Sequence, residues 1–239
     1  MNTHSSKPKS TVPTLPTTAL THRRLLSVDP SIQHWLNAAD SLKKSSLQYT
    51  RVIPGFFMDY WGMPPVRTNL QPVTFGMDMV SCQAAIPGDG NDVIGMTYTY
   101  DMAEFLIKLL ELEEWPEFSI FVGDDVTYNE LLRLAEEVRG KTRPKMLTRY
   151  SRLTETGKKF QVTYDSVENV KQGRVTVPPM PSGVPYSAEE LREMTVLVSR
   201  LTVAGVFDLP VEQRMNSRFP DLRPIKVKEF LLNAWKDFE

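Results

Sequence analysis

The feature that most constrains this chain is a short apolar segment that ends at a proline–glycine pair and continues into aromatic residues. Tyr49–Ile53 is predicted to be a buried strand because it is short, apolar and β-branched. Pro54-Gly55 ends the hydrogen-bond ladder and lets the backbone approach another group closely. Open α/β sheets bind ligands at the carboxyl ends of their strands, so the aromatic residues that follow are predicted to line a pocket. A closed aromatic core is the alternative. The four aromatic residues are Phe56, Phe57, Tyr60 and Trp61.

Composition excludes several classes of partner. The 239 residues carry a net charge of −1, so we expect no nucleic-acid partner and no anionic membrane surface. No stretch approaches the ~20 apolar residues of a membrane span, and no secretory signal is present. The single Cys82 cannot form an intramolecular disulfide and is typical of a reducing compartment. These features predict a cytoplasmic protein.

The few histidines and the single cysteine argue against most hydrolytic mechanisms and most metal sites. The three histidines are His4, His22 and His34, all near the beginning of the chain. A Ser-His-Asp or Cys-His site built from the remaining residues is therefore not expected. With one cysteine and no later histidine, a zinc site lacks ligands, and no EF-hand spacing occurs. We predict no metal site.

Two regions are predicted: a disordered tail over residues 1–28 and a domain over 29–239. Residues 1–24 are rich in Ser, Thr and Pro and contain no acidic residue, which cannot form a core. Asp29-Pro30 then provides an N-cap and a first-turn proline for a helix. This helix and the strand Tyr49–Ile53 together predict an αβ unit of a parallel sheet.

Further elements follow from capping and periodicity. Residues 64–92 are predicted to be irregular, and residues 150–185 a mobile excursion over the surface. Strands are predicted at 93–100, 118–122 and 143–149. Helices are predicted from Asp101 to about Trp115, from the capping box at Thr127 to Gly140, from Ser187 to about 203, and from about Lys226. The core side of the helix that begins at Asp101 is predicted to be Phe105, Leu106, Leu109, Leu110 and Leu112.

The glycines do not form a nucleotide-binding motif. Gly88 and Gly90, followed by Gly95, superficially suggest a phosphate loop. A dinucleotide fingerprint requires a strand before the loop and a helix after it, and neither is predicted here. None of the 12 glycines belongs to a G-x-G-x-x-G or Walker A pattern. We predict a turn at this position.

Four segments together resemble the NmrA-like, isoflavone reductase-like family of atypical short-chain dehydrogenases. They are residues 49–62 (YTRVIPGFFMDYWG), 101–105 (DMAEF), 122–132 (VGDDVTYNELL) and 219–227 (FPDLRPIKV). Their order and spacing carry the resemblance, which extends over about residues 29–239. It implies an α/β fold: the C-terminal part of an NAD(P)-binding Rossmann-like domain with a small α+β substrate subdomain.

The resemblance also implies a function. Hydride would pass from NADP(H) to a small aromatic or polyketide-like compound of secondary metabolism. Pro54, Gly55, Phe56 and Phe57 would contact the cofactor, and Phe56, Phe57, Tyr60 and Trp61 the substrate. Tyr60 is the one candidate proton donor, with core packing as its alternative. The resemblance thus implies an NAD(P)H-dependent oxidoreductase.

The chain departs from the family pattern in two ways. The first strand with its glycine loop is missing before Asp29, and no lysine occupies the family position around His34–Trp35. Two alternatives to the enzyme therefore stay open: a non-catalytic binding or redox-regulatory protein, and an incomplete product of a longer reductase gene. The missing strands would also leave Tyr49–Ile53 at an open sheet edge, which predicts homo-oligomerisation through that edge.

Overall fold

The structure is a computed structural model that describes residues 28–140 and 158–238. The strands are β1 (Arg51–Ile53), β2 (Phe56–Phe57), β3 (Met77–Asp78), β4 (Gln83–Pro87), β5 (Val93–Thr97), β6 (Phe118–Ile120), β7 (Asp124–Thr127) and β8 (Gln161–Asp165). The helices are α1 (Gln33–Lys43), α2 (Asp59–Gly62), α3 (Thr99–Leu110), α4 (Tyr128–Arg139), α5 (Val167–Lys171), α6 (Ala188–Val203) and α7 (Val227–Trp235). Short 3₁₀ turns occur at Pro30–Ile32, Val211–Gln213 and Met215–Arg218. The strand predicted at 143–149, and all but the last residue of the tail predicted at 1–28, lie outside the described residues.

The strands form three small sheets, and the predicted parallel pairing is present. β1 lies parallel to β6 in register from Arg51↔Phe118 to Ile53↔Ile120. β5 lies between β2, which is parallel to it, and β7, which is antiparallel. β4 lies between β3 and β8. Within the described ranges, β1 pairs with β6 alone.

The predictions for residues 64–92 and 150–185 were wrong in part, because each region contributes a strand to the same sheet. β4 and β8 are parallel over five residue pairs, from Gln83↔Gln161 to Pro87↔Asp165. β8 is an edge strand with mostly exposed side chains, so its sequence lacks the alternation that marks a half-buried strand. β4 also leads directly into Gly88, so the expectation that no strand precedes this turn was wrong. β5 rather than a helix follows it.

Helix α3 presents a different face to the core from the one predicted. Its buried residues are Met102, Phe105 and Leu109, which follow the i, i+3, i+7 spacing of one helix face. Leu106 and Leu110, which were predicted to face the core, are exposed. Leucine spacing alone could not distinguish the two faces, because apolar residues occur on both. Asp101 lies inside the helix rather than at its cap.

Thr97, at the end of β5, joins three chain segments. Its side chain is fully buried, and Oγ1 lies 2.7 Å from the carbonyl oxygen of Pro54 and 3.2 Å from that of Phe121. The backbone N–H of Gly123 donates to the same Oγ1 at 3.2 Å. The hydroxyl therefore holds the chain just after β1 and just after β6 against the end of β5.

Gly55 is required where the chain that leaves β1 passes close to the backbone of β5. Its φ of +71° lies in the left-handed region, and a Cβ there would overlap the carbonyl oxygen of Gly95 on β5. The proline–glycine pair was predicted to let the backbone approach another group closely, and that group is the β5 backbone.

We expect Thr97→Val to lower the free energy of unfolding by ~1–3 kcal/mol. The substitution keeps the side-chain volume but leaves buried backbone groups without their partner. Urea unfolding of the variant and of Thr97→Ser, which keeps the hydroxyl, measures the effect. A Thr97→Val protein as stable as the parent, or less perturbed than Thr97→Ser, would contradict this role for the hydroxyl.

Candidate functional site

The two phenylalanines of β2 point to opposite sides of the strand, as the alternation of a strand requires. Phe56 is 8% exposed and packs among Tyr60, Trp61, Phe75 and Phe207, a set that we call the aromatic cluster; the ring centroids lie 5.2–5.7 Å from that of Phe56. Phe57 is half-buried and packs on the other side, against the group that contains Met102, Phe105, Leu109, Phe121 and Met215. The sequence-predicted site is thus divided between two apolar regions.

Trp61 is a core residue in this structure. It is 1% exposed, and its indole N–H donates to the carbonyl oxygen of Phe75 at 3.1 Å. Its own carbonyl oxygen accepts from the indole N–H of Trp235 at 2.7 Å. These bonds fix α2 against α7, and in this arrangement the indole contacts protein on all sides. The substrate contact assigned to Trp61 stays a prediction.

Tyr60 is half-buried at the margin of the aromatic cluster. Burial raises the pKa of its phenol above the ordinary value, and the nearby Tyr186 and Asp59 raise it further. The hydroxyl is therefore protonated at neutral pH, which is the state that a proton donor needs. Its ring packs edge-on against Phe75, with centroids 4.8 Å apart.

Pro54 and Gly55 both contact β5 where the chain passes from β1 to β2. The carbonyl oxygen of Pro54 accepts from Thr97, and the space beside Gly55 is filled by Gly95. Both residues are half-buried. Their predicted contact with a cofactor is not tested by these contacts and remains a prediction.

A cavity of about 420 Å³ lies at the carboxyl end of β6. Its inner wall is the loop Phe121–Gly123, which directly follows the strand, and its outer wall comes from the segment 216–226. The complete lining is Phe121, Val122, Gly123, Asn216, Ser217, Pro220, Leu222, Arg223, Pro224 and Lys226. The cavity combines an apolar floor with the cationic side chains of Arg223 and Lys226. Residues 54–61 do not line it, but Phe57 and Phe121 belong to the same apolar group beneath it.

Side-chain bonds fasten the segment 216–227 over the strand ends. The Asn216 amide accepts from the N–H of Val122 at 3.2 Å and donates to its carbonyl oxygen at 2.8 Å. Asp101 accepts from the N–H of Ile225 at 2.8 Å, and the Lys226 ammonium donates to the Gly123 carbonyl at 2.6 Å. Burial raises the pKa of Asp101, although the Ile225 bond opposes the shift.

A second cavity, of about 640 Å³, lies beside α6. The Arg200 guanidinium at its wall donates to Asp29 at 2.8 Å. Burial alone would raise the pKa of Asp29, but hydrogen bonds from Ser31 and Arg200, with the Arg200 charge, lower it overall. Arg192 at the same wall donates to the Gly173 carbonyl at 3.0 Å. The charged groups here serve the packing of α6 against its neighbours.

Each of the longer described helices has a side chain that caps one backbone N–H group at or just before its N-terminus. A dinucleotide pyrophosphate normally binds the backbone N–H groups of a helix N-terminus. In α1, α3, α4, α6 and α7, or in the turn leading into them, a side chain already accepts from these N–H groups. The acceptors are Asp29, Asp59, Thr127, Ser187 and Asp124. A pyrophosphate at one of these helices would have to compete with the capping side chain for that N–H group.

The same part of the chain offers no metal site and no membrane span. Among the described residues, no group of three or more His, Cys, Asp or Glu side chains is arranged to hold a metal ion. No helix there is long and apolar enough to cross a membrane.

Sequence reasoning missed Thr97 and the cavity residues of the 216–226 segment. Thr97 gave no signal, because a threonine at the end of a strand is ordinary. The run 219–227 was noted only as part of a family resemblance. This run contains prolines and basic residues and follows a long stretch without a predicted strand. Together these features were a weak signal of an irregular segment that packs on the surface of another element.

The comparisons with known proteins agree with this fold. No protein-family model matches the chain. The oxidoreductases swnN of Metarhizium robertsii and of Arthroderma benhamiae are 28% and 25% identical over 204 and 206 residues, each match covering 82% of this chain. The chain spans 54% and 64% of the length of these two relatives.

Solved structures establish the fold class. AtPrR2 with NADP⁺ and (+)pinoresinol superposes with a TM-score of 0.54 at 15% identity, over 87% of this chain and 58% of that one. An isoflavone reductase superposes with a TM-score of 0.51 at 16% identity, over 90% of this chain and 60% of that one. The chain therefore has an α/β fold resembling that of the NmrA-like, isoflavone reductase-like proteins over about 60% of their length.

We expect Asn216→Ala to release the segment 216–226 from the cavity wall. The N–H of Val122 loses its acceptor, so its hydrogen exchange should accelerate by about tenfold or more. The neighbouring N–H of Gly123 donates to the Met96 carbonyl at 2.9 Å and should keep its protection, which makes it an internal control. Equal acceleration at both amides would indicate general unfolding and contradict a local role for Asn216.

Proposed function

We propose that this chain belongs to an NmrA-like oxidoreductase of fungal secondary metabolism and provides the binding site for a small aromatic or polyketide-like compound. The cavity at the end of β6 carries the proposal. It lies where open α/β folds bind ligands, at the carboxyl end of a parallel strand, and has an apolar floor with a few polar groups. The similarity to fungal oxidoreductases over 82% of the chain supports the class of chemistry.

In this proposal the ligand rests on Phe121 and Leu222, above Phe57. The Phe105 and Phe121 rings stack with centroids 4.3 Å apart, which fixes the floor of the cavity. Arg223 at the rim favours a ligand that carries a carboxylate, phenolate or enolate oxygen. The Lys226 ammonium is already paired with the Asp124 carboxylate, at 3.3 Å.

Tyr60 packs with Phe56 on the other side of β2 and does not line this cavity, so its role as a proton donor stays a separate prediction. The predicted cofactor or substrate contacts of Pro54, Gly55, Phe56, Phe57 and Trp61 also stay predictions.

A second candidate function is a non-catalytic binding or redox-regulatory protein of the same family. The sequence supports it, because it contains no G-x-G-x-x-G loop to hold the NADP(H) pyrophosphate and no lysine at the family position around His34–Trp35. The two functions share the small-molecule cavity and differ in dinucleotide binding. A titration with NADPH therefore separates them.

We expect this chain alone to bind NADPH with a dissociation constant no tighter than about 100 μM, since the main electrostatic contact of the dinucleotide is lacking. Isothermal titration calorimetry measures it directly. A dissociation constant in the low micromolar range would overturn the expectation and favour the reductase over the regulatory protein.

We expect Ser217→Trp to abolish binding of small aromatic acids and phenols to the cavity. Ser217 is exposed at its rim, so an indole there fills the volume without disturbing the core. Saturation-transfer NMR with a panel of such compounds measures binding. Glu212→Trp, an exposed position nearby that does not line the cavity, is the matched control. If Ser217→Trp retains the binding that the parent chain shows, or if no compound of the panel binds the parent, the proposed site is wrong.

A further inference from the structure

The Arg223 guanidinium at the rim of the cavity at the end of β6 has one hydrogen-bonding edge available to a ligand. Its Nη1 group donates to the carbonyl oxygen of Pro220, and to that of Leu222 at 3.2 Å. No carboxylate within residues 28–140 and 158–238 forms an ion pair with it. The Nε and Nη2 groups also carry N–H donors and lie along one edge, which matches the two oxygens of a carboxylate.

The neighbouring cations are already neutralised by carboxylates of β7. The Nη1 and Nη2 groups of Arg214 donate to the two carboxylate oxygens of Asp125, at 2.7 and 2.9 Å. The Lys226 ammonium lies 3.3 Å from the Asp124 carboxylate. Arg223 is therefore the cation at this cavity whose charge a ligand can neutralise.

On the inner wall of the cavity, the polar groups already have partners. The N–H and the carbonyl oxygen of Val122 both pair with the Asn216 amide, and the Gly123 carbonyl accepts from Lys226. The side chains of this wall are those of Phe121 and Val122, which are apolar. An anionic group placed against it would lose water without gaining a partner, which costs free energy. The charged end of a ligand therefore belongs at the rim, and its apolar end at the inner wall.

We propose that the cavity binds an organic monocarboxylate, with its carboxylate paired to Arg223 and its apolar end directed towards the loop Phe121–Gly123. This inference rests on the proposed function and narrows its ligand class. A phenolate or an enolate offers one oxygen to the guanidinium edge instead of two, and a second carboxylate on the ligand would face the inner wall. Arg223 is then the specificity-determining residue. The cavity volume of about 420 Å³ is sufficient for one substituted aromatic ring.

Titrations of the full chain by saturation-transfer NMR test which ligand the cavity selects. The probes share a para-substituted benzene ring and differ at its ends: para-toluate, its neutral amide para-toluamide, and the dicarboxylate terephthalate. We expect para-toluate to bind about tenfold more tightly than either of the others. The amide lacks the charge that pairs with Arg223, and terephthalate carries a second charge to the inner wall.

Substitutions of Arg223 test its role in this selection. Arg223→Gln should weaken the binding of para-toluate by about tenfold and leave that of the amide unchanged. Arg223→Lys keeps the charge but not the paired donors, and should recover only part of the affinity. Arg218→Gln removes another exposed arginine of the same segment, one that does not line the cavity, and should leave every affinity unchanged. Circular dichroism melting verifies that each variant folds.

The outcomes separate this inference from the proposed function. The monocarboxylate is the wrong ligand class if para-toluamide or terephthalate binds as tightly as para-toluate, or if Arg223→Gln binds para-toluate as the parent chain does. In those cases the small-molecule cavity still stands. It also stands, without the monocarboxylate, if none of the three probes binds but a neutral phenol does. If no aromatic acid or phenol binds the parent chain, both the inference and the proposed function are wrong.

Discussion

The buried hydroxyl of Thr97 and the bare backbone of Gly55 set the position of every strand end near the candidate site. The chain leaves β1 at Pro54, crosses the backbone of β5 and enters β2 within two residues. This crossing is possible because Gly55 has no side chain to strike the Gly95 carbonyl. Thr97 then satisfies backbone groups from the Pro54 and Phe121 segments in a space that water does not reach. A buried polar group without such a partner would be costly, so this single side chain constrains three segments together.

The cavity follows from that constraint. Thr97 holds the inner side of the loop Phe121–Gly123. The segment 216–227 packs against the outer side of this loop, where the Asn216 side chain both accepts from the Val122 N–H and donates to the Val122 carbonyl oxygen. Lys226 donates to the Gly123 carbonyl, and Asp124 accepts from the N–H of Val227, the first residue of α7. The wall that separates Phe57 from the cavity is thus a backbone loop fixed on two sides. A rigid support of this kind positions a ligand better than a free loop does.

Local signals in the sequence located the longer helices and some strands, but they predicted neither the core face of α3 nor the pairing of β4 with β8. The capping boxes at Thr127 and Ser187 both form as predicted, because a capping box depends on residues three positions apart. β4 and β8 were missed because their pairing joins residues more than seventy positions apart and β8 is largely exposed. The candidate site shows the same limit. Pro54, Gly55 and the four aromatic residues are adjacent in sequence, but the two apolar groups on either side of β2 are built from distant residues such as Phe75, Phe207 and Met215.

The capped helix N-termini affect where a phosphate group of a cofactor could bind in this fold. A carboxylate at a helix N-terminus and a bound phosphate compete for the same end of the helix dipole and for some of the same N–H groups. Here Asp59 is fully buried, and besides the N–H of Thr99 it accepts from the hydroxyls of Thr68 and Thr99. A carboxylate with three donors in the core cannot give way to a phosphate without a large loss of stability. Asp59 therefore makes the N-terminus of α3 an unfavourable place for the pyrophosphate, and recognition of the organic ligand is the role that we propose for the cavity at the end of β6.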